Sequence, residues 1–177
     1  MRWKTKARLT ATAYILGLMV AANLGTGSAA DAGAPVVELP AGQAAIIKAE
    51  EDARRQLHLF LGNILNADGV AHDDAAVKII MSSENGPAEV IWVTPFSALG
   101  GGQFVGMLAN TPQVIRNHAE GDAVYFDESQ IRDWSFVGPD SRIYGSYTTR
   151  VLLPHLSKAQ ADQIGAYLSP RPIPADW

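Results

Sequence analysis

The chain has 177 residues, with 14 Lys and Arg against 18 Asp and Glu, 47% apolar residues and no cysteine. The missing cysteine excludes disulfides, a lipid-modified cysteine anchor, a thiol nucleophile and a thiolate metal site. Basic side chains are scattered singly apart from Arg54-Arg55, which excludes a stripe able to track nucleic-acid phosphates or anionic lipid.

Residues 1–30 differ in kind from the rest. Arg2, Lys4, Lys6 and Arg8 open the chain without an acid, and an apolar run from Leu9 to Leu24 follows. This is the composition of a secretory signal peptide, and Ser28-Ala29-Ala30 supplies the small residues for cleavage before Asp31, with Ala29 as a rival position. The other reading is an uncleaved anchor, but the run is shorter than the ~20 residues of a spanning helix. Cleavage leaves 10 basic against 18 acidic residues, a net charge of −8 on roughly 147 residues, enough for one domain with a continuous core. The signal lacks a twin arginine, so the expected destination is the periplasm, or secretion beyond it. No later segment has the length of a membrane span.

Residues 31–42, small and Pro-punctuated, suit a flexible tether. From Gln43 to Leu65, Ile46, Ile47, Ala49, Ala53, Leu57, Phe60, Leu61 and Ile64 recur on one stripe, which predicts a single amphipathic helix. Ala76 to Met81 is apolar on nearly every residue and predicts a central strand, followed by a turn through Asn85-Gly86. Glu89 to Phe96 and Gln103 to Ala109 predict a hairpin across Gly100-Gly101-Gly102, Gln113 to His118 a helical turn, and Ala123 to Phe126 a short strand.

The segment from Ile131 to Leu153 predicts a closing hairpin that turns through Gly138-Pro139-Asp140-Ser141. Its second strand is expected to put Ile143, Tyr147, Val151 and Leu153 on one face and Ser146, Thr148 and Arg150 on the other. Ser157 and Gln160 have the spacing of a capping box, which predicts a helix to Leu168, and the prolines of residues 169–177 make that segment a tail. The expected architecture is α+β: an N-terminal helix packed on an antiparallel sheet of about five to six strands, then a C-terminal helix, with residues 43–168 as one domain.

Several pieces come in an order that resembles a known family: Ala76 to Met81, Ile91-Trp92-Val93 with Pro95-Phe96, Phe104 to Asn110 with Pro112, Gly121-Asp122, Asp133-Trp134 after Ile131, and Gly145 with Thr148 and Arg150. Over Gln43 to Leu153 the chain is similar to the YegJ-like proteins, a bacterial domain of unknown function. The resemblance implies a helix on an antiparallel sheet and no activity. Fusion of some relatives to ankyrin repeats implies an interaction module. Val90 stands where the family often has His or Glu, and Ser146 where Asn is common.

Asp133 and Arg150 are expected to pair across the hairpin beside Trp134 as a structural latch, because a carboxylate held by Arg is too strongly ionised for acid-base work at neutral pH. The sharper reading is an anion-binding spot in which Ser146, Thr148 and Arg150 face a ligand carboxylate or phosphate. Gly100-Gly101-Gly102 lacks the Gly-Lys-Ser/Thr and the following helix of a phosphate loop. His72-Asp73-Asp74 and His118, Glu120 and Asp122 are metal-capable but have no established ligand spacing, so no metal or other cofactor is expected. Nor does a Gly-x-Ser-x-Gly elbow appear, and no catalytic residue is assigned. The leading expectation is a non-enzymatic periplasmic domain that binds an unknown protein or small molecule. One alternative is a small hydrolase or transferase with a cleft around Asp133, Ser146, Thr148 and Arg150; another is an immunity-type or inhibitor protein.

Overall fold

The computed structural model describes residues 42–82 and 87–177. The signal peptide, almost all of the tether and the Asn85-Gly86 turn lie outside the described residues. Helices α1 (Gly42–Arg55) and α2 (Leu57–Ile64) come first. Then follow strands β1 (Ala75–Met81), β2 (Glu89–Gly100), β3 (Gln103–Leu108) and β4 (Ala123–Asp127). A 3-10 turn at Glu128–Gln130 leads to β5 (Ile131–Val137) and β6 (Ile143–Gly145), and the chain ends with α3 (Tyr147–Leu152) and α4 (Lys158–Gly165). The six strands form one antiparallel sheet in the order β4-β3-β2-β1-β5-β6, so the α+β architecture is as expected.

Alternation on the strands sets the main core. Val77 and Ile79 on β1, Ile91, Val93 and Phe96 on β2, Phe104 on β3, Phe126 on β4 and Trp134 and Phe136 on β5 pack with Ala53, Leu57 and Phe60 from the helices. The Phe60 and Trp134 rings stack with centroids 4.7 Å apart. A smaller cluster holds Ala76, Trp92, Ala109, Ile143 and Leu168, backed by Leu153 and Ile164.

Three expectations about elements are corrected. The single helix over 43–65 is two, because the Ala53 carbonyl accepts the Trp134 indole N–H at 2.9 Å and the Gln56 N–H at 3.2 Å, the latter a bond one residue tighter than the α-helical pattern. The chain leaves helical geometry at Gln56 (φ −101°, ψ 0°) and restarts with Leu57 and Phe60 buried. Residues 113–118 form turns rather than a helical turn. Their backbone N–H groups are gathered by the Glu89 carboxylate, which accepts from Gln113, Val114 and Ile115 at 2.7, 2.9 and 3.2 Å.

The third correction concerns the closing hairpin, whose second strand stops at Gly145. Gly145 and Ser146 have φ of +69° and +53°, a left-handed pair that no strand continues through. From Tyr147 the chain is helical, so Ser146, Thr148 and Arg150 do not form a row on a strand.

The capping box of α4 is present: the Ser157 N–H donates to Gln160 Oε1 at 3.2 Å, and the Gln160 N–H to Ser157 Oγ at 3.4 Å. Beyond α4 the chain runs beside β6. Ile143 N–H donates to the Tyr167 carbonyl at 2.8 Å, Ser169 N–H to the Ile143 carbonyl at 2.9 Å, and Gly145 N–H to the Pro172 carbonyl at 2.7 Å. Trp177 then stacks on Phe136 at 4.8 Å. The Pro-rich segment thus lies against the core.

Candidate functional site

The sequence-selected residues meet at the junction of β5, β6 and α3, and their connections differ from the expected latch. Asp133 is fully buried. Its Oδ1 accepts from the N–H groups of Trp134 (2.8 Å) and Tyr147 (3.1 Å), and its Oδ2 from the N–H (2.8 Å) and hydroxyl (2.7 Å) of Thr148. A carboxylate from the neighbouring strand therefore satisfies the first N–H groups of a six-residue helix. Asp133 does not pair with Arg150. The Arg150 guanidinium donates instead to the carbonyls of Gly145 (2.8 Å), Ser169 (2.7 Å) and Ile143 (3.3 Å), tying α3 to β6 and to the C-terminal segment. Burial lowers its pKa from the ordinary arginine value.

Ser146 is buried and its hydroxyl donates to Ser135 Oγ at 3.0 Å. Thr148 is also buried. The structure thus brings Asp133, Ser146, Thr148 and Arg150 into one region, with three of the four enclosed. Trp134 lies on the other side of β5, in the main core.

Two charged residues missed in the sequence complete the region. Lys78, half-buried, is the register partner of Asp133 on one side and of Trp92 on the other. Its ammonium donates to Thr148 Oγ1 at 3.3 Å and lies 5.5 Å from the centroid of the Trp92 ring. Burial lowers the Lys78 pKa, against the opposing pull of Asp133 and Glu50. Burial raises the Asp133 pKa, opposed first by Lys78 and then by the Thr148 and Trp134 donors. Glu50 on α1, 3.9 Å from Arg132, is likewise raised by burial. A lone Lys inside the apolar run from Ala76 to Met81 was the available signal, because a lysine in a central strand needs an enclosed acid or a route to solvent.

The Tyr147 ring meets Trp134 edge-on at 5.5 Å, and its buried hydroxyl has no hydrogen-bond partner. Burial pushes that hydroxyl up to about 12, so it stays protonated at neutral pH. Chemically the region is an interior electrostatic joint whose donors and acceptors largely answer one another.

In the two metal-capable loops each histidine lies near one acid: His72 Nδ1 is 3.7 Å from Asp74, and His118 Nδ1 3.6 Å from Asp122. Among the described residues no group of three or more His, Asp or Glu is arranged to hold a metal. No described helix is long and apolar enough to cross a membrane.

A different surface stands out on the opposite half of the sheet. Tyr125 is 76% exposed, Leu99 57% and Met107 43%. Register places Ser97, Val105 and Tyr125 in one cross-strand row and Met107 with Ala123 in the next. The helices and the smaller apolar cluster leave this face of β3 and β4 open among the described residues.

Comparison with known proteins agrees with the fold. The chain is 30% identical over 124 residues to the uncharacterized protein YegJ of Escherichia coli (strain K12), covering 70% of this chain and 77% of YegJ. No solved structure matches it. The family model for DUF2314, described as an uncharacterized protein conserved in bacteria, matches residues 43–167, and the chain belongs to that family.

Proposed function

We propose that the chain is an exported domain that works in the periplasm by binding another molecule, not by catalysis. The observation that carries this reading is the exposed apolar patch of Met107 and Tyr125 in neighbouring rows of β3 and β4, with Leu99 exposed further along the same half of the sheet, since exposed apolar patches mark interaction sites. The basic-then-apolar start and Ser28-Ala29-Ala30 support export. Against the hydrolase or transferase alternative, Asp133, Ser146 and Thr148 are enclosed and bonded to one another's elements, whereas a catalytic group needs access to substrate. In this reading Ser146, Thr148 and Arg150 shape the fold, and binding takes place on the sheet face. An inhibitor that docks through this face is one form of the same activity.

Two measurements test it. A photo-crosslinking amino acid at position 125 is expected to give protein adducts in living cells, while the same group at exposed position 159 on α4 gives none. Equal yields at the two positions, or a turnover abolished by Asp133→Asn in a folded variant, would overturn the binding reading. Fractionation and amino-terminal sequencing are expected to find a periplasmic chain beginning at Asp31; an intact start in the cytoplasm would remove the export half.

A further inference from the structure

The two edges of the sheet are not alike. Beside β6 the chain's own Tyr167, Ser169 and Pro172 take up backbone bonds. At the other edge, β4 pairs with β3 alone among the described residues. Leu108 N–H donates to the Asp122 carbonyl and Glu128 N–H to the Gly102 carbonyl, each at 2.9 Å, so the even-numbered residues of this strand face β3. Antiparallel alternation then turns the N–H and C=O groups of Ala123 and Tyr125 outward. The outward N–H of Asp127 is occupied by Gln130 Oε1 at 2.8 Å, which closes the ladder at that end.

β4 lacks several of the devices that blunt an edge, having no proline, no lysine and no register shift against β3, and its charges are confined to its ends. Val124 and Phe126 are buried, so the strand is held as a fixed template, while Ala123 and Tyr125 point to solvent beside Met107. Charge brackets this stretch. Glu120 and Asp122 precede it, Asp127 and Glu128 follow it, and no Lys or Arg lies between Arg116 and Arg132.

That charge decides what can dock. Two copies joined edge to edge about a two-fold axis through Tyr125 would place Asp122 opposite Glu128 twice, which opposes like charges across the new pair. A segment with apolar residues in the middle and Lys or Arg at each end meets acids at both ends, across a span of roughly 20 Å or about seven residues. We propose that β4 takes up an extended, basic-ended polypeptide segment of another protein as a seventh strand, an inference that rests on the binding reading above and names the partner's chemistry.

The test uses the protein purified as its host processes it. The probes are two fluorescein-labelled peptides of alternating valine and threonine, one with lysine at both ends and one with glutamate. The lysine-ended peptide is expected to raise anisotropy and to slow hydrogen exchange at Ala123 and Tyr125. The glutamate-ended peptide should bind roughly tenfold more weakly at low salt, the size expected of a few exposed ion pairs. The double variant Glu120→Lys/Glu128→Lys should lose this preference while keeping the parent's circular dichroism.

No binding of the lysine-ended peptide, equal binding of both peptides, binding without protection at Ala123 and Tyr125, or a β4-protected dimer of the protein itself would each overturn the proposal. Crosslinks from position 125 combined with any of the first three results would leave the binding reading standing and remove only the strand.

Discussion

Gly145 shows how tightly single positions are held around the β5-α3 joint. A Cβ there would meet the Trp134 carbonyl oxygen at 2.2 Å and the indole ring at 2.5 Å, in addition to the strain of φ +69°. Gly101, at φ +61° on the β2-β3 turn, has nothing within 4 Å. Gly145→Ala is therefore expected to destabilise by about 3 kcal/mol or more in urea unfolding, and Gly101→Ala by about 1 kcal/mol. Similar losses at both would contradict this packing. Asp133→Ala removes the acceptor for four donors and leaves Lys78 without its enclosed counter-charge. It should cost about 3–5 kcal/mol, whereas Asp133→Asn, which keeps one acceptor, should cost less. In the sequence Asp133 and Arg150 were visible as important, but their partners were not. Which acceptor an Arg finds depends on backbone carbonyls that only the C-terminal segment brings into reach.

Among the elements, periodicity read the strands well because burial alternates along them, and β1 to β5 lie close to where apolar runs place them. It misread residues 146–152, since Tyr147 and Val151 interleave with Ser146, Thr148 and Arg150 as on a strand, whereas Ser146, Thr148, Thr149 and Leu152 are the positions the fold buries. The decisive signal was a left-handed Gly-Ser pair, which polarity does not encode. The break between α1 and α2 was hidden for a similar reason: its cause is an indole from a strand far away in the chain. Composition also concealed the C-terminal segment, where prolines suggested a detached tail. Ile173 and Trp177 instead pack on the main core, Trp177 within 6.3 Å of Trp134 as well as against Phe136. Truncation after Pro172 is expected to lower stability by about 2–3 kcal/mol, from the apolar area exposed and the lost ring stacking. Near-ultraviolet circular dichroism should lose part of its tryptophan signal, and an unchanged unfolding midpoint would argue that the segment is not docked.

For the whole molecule, the enclosed charges make stability depend on pH in a definite direction. Glu50 and Asp133 have raised folded pKa values, so what they contribute is full below the ordinary carboxylate range near ~4 and is lost as pH rises through the folded values. Lys78 is lowered, so its contribution is present above its ordinary value near ~10.4 and is lost as pH falls through the folded one. The urea midpoint is expected to fall across the pH interval just above the ordinary carboxylate range near ~4, and Glu50→Gln should flatten that fall. A midpoint that rises over this interval would show that these burials do not govern the profile. The α+β class was legible because it needs only the count and order of apolar runs, while the joint between Lys78 and Asp133 depends on strand order, which places β1 beside β5. That order has a further consequence. Because the C-terminal segment takes up the backbone groups of β6, the sheet of the described residues has an uncovered edge at β4 and a covered one at its other end. Head-to-tail stacking of copies, β4 of one against β6 of the next, needs both edges open and is therefore blocked at β6.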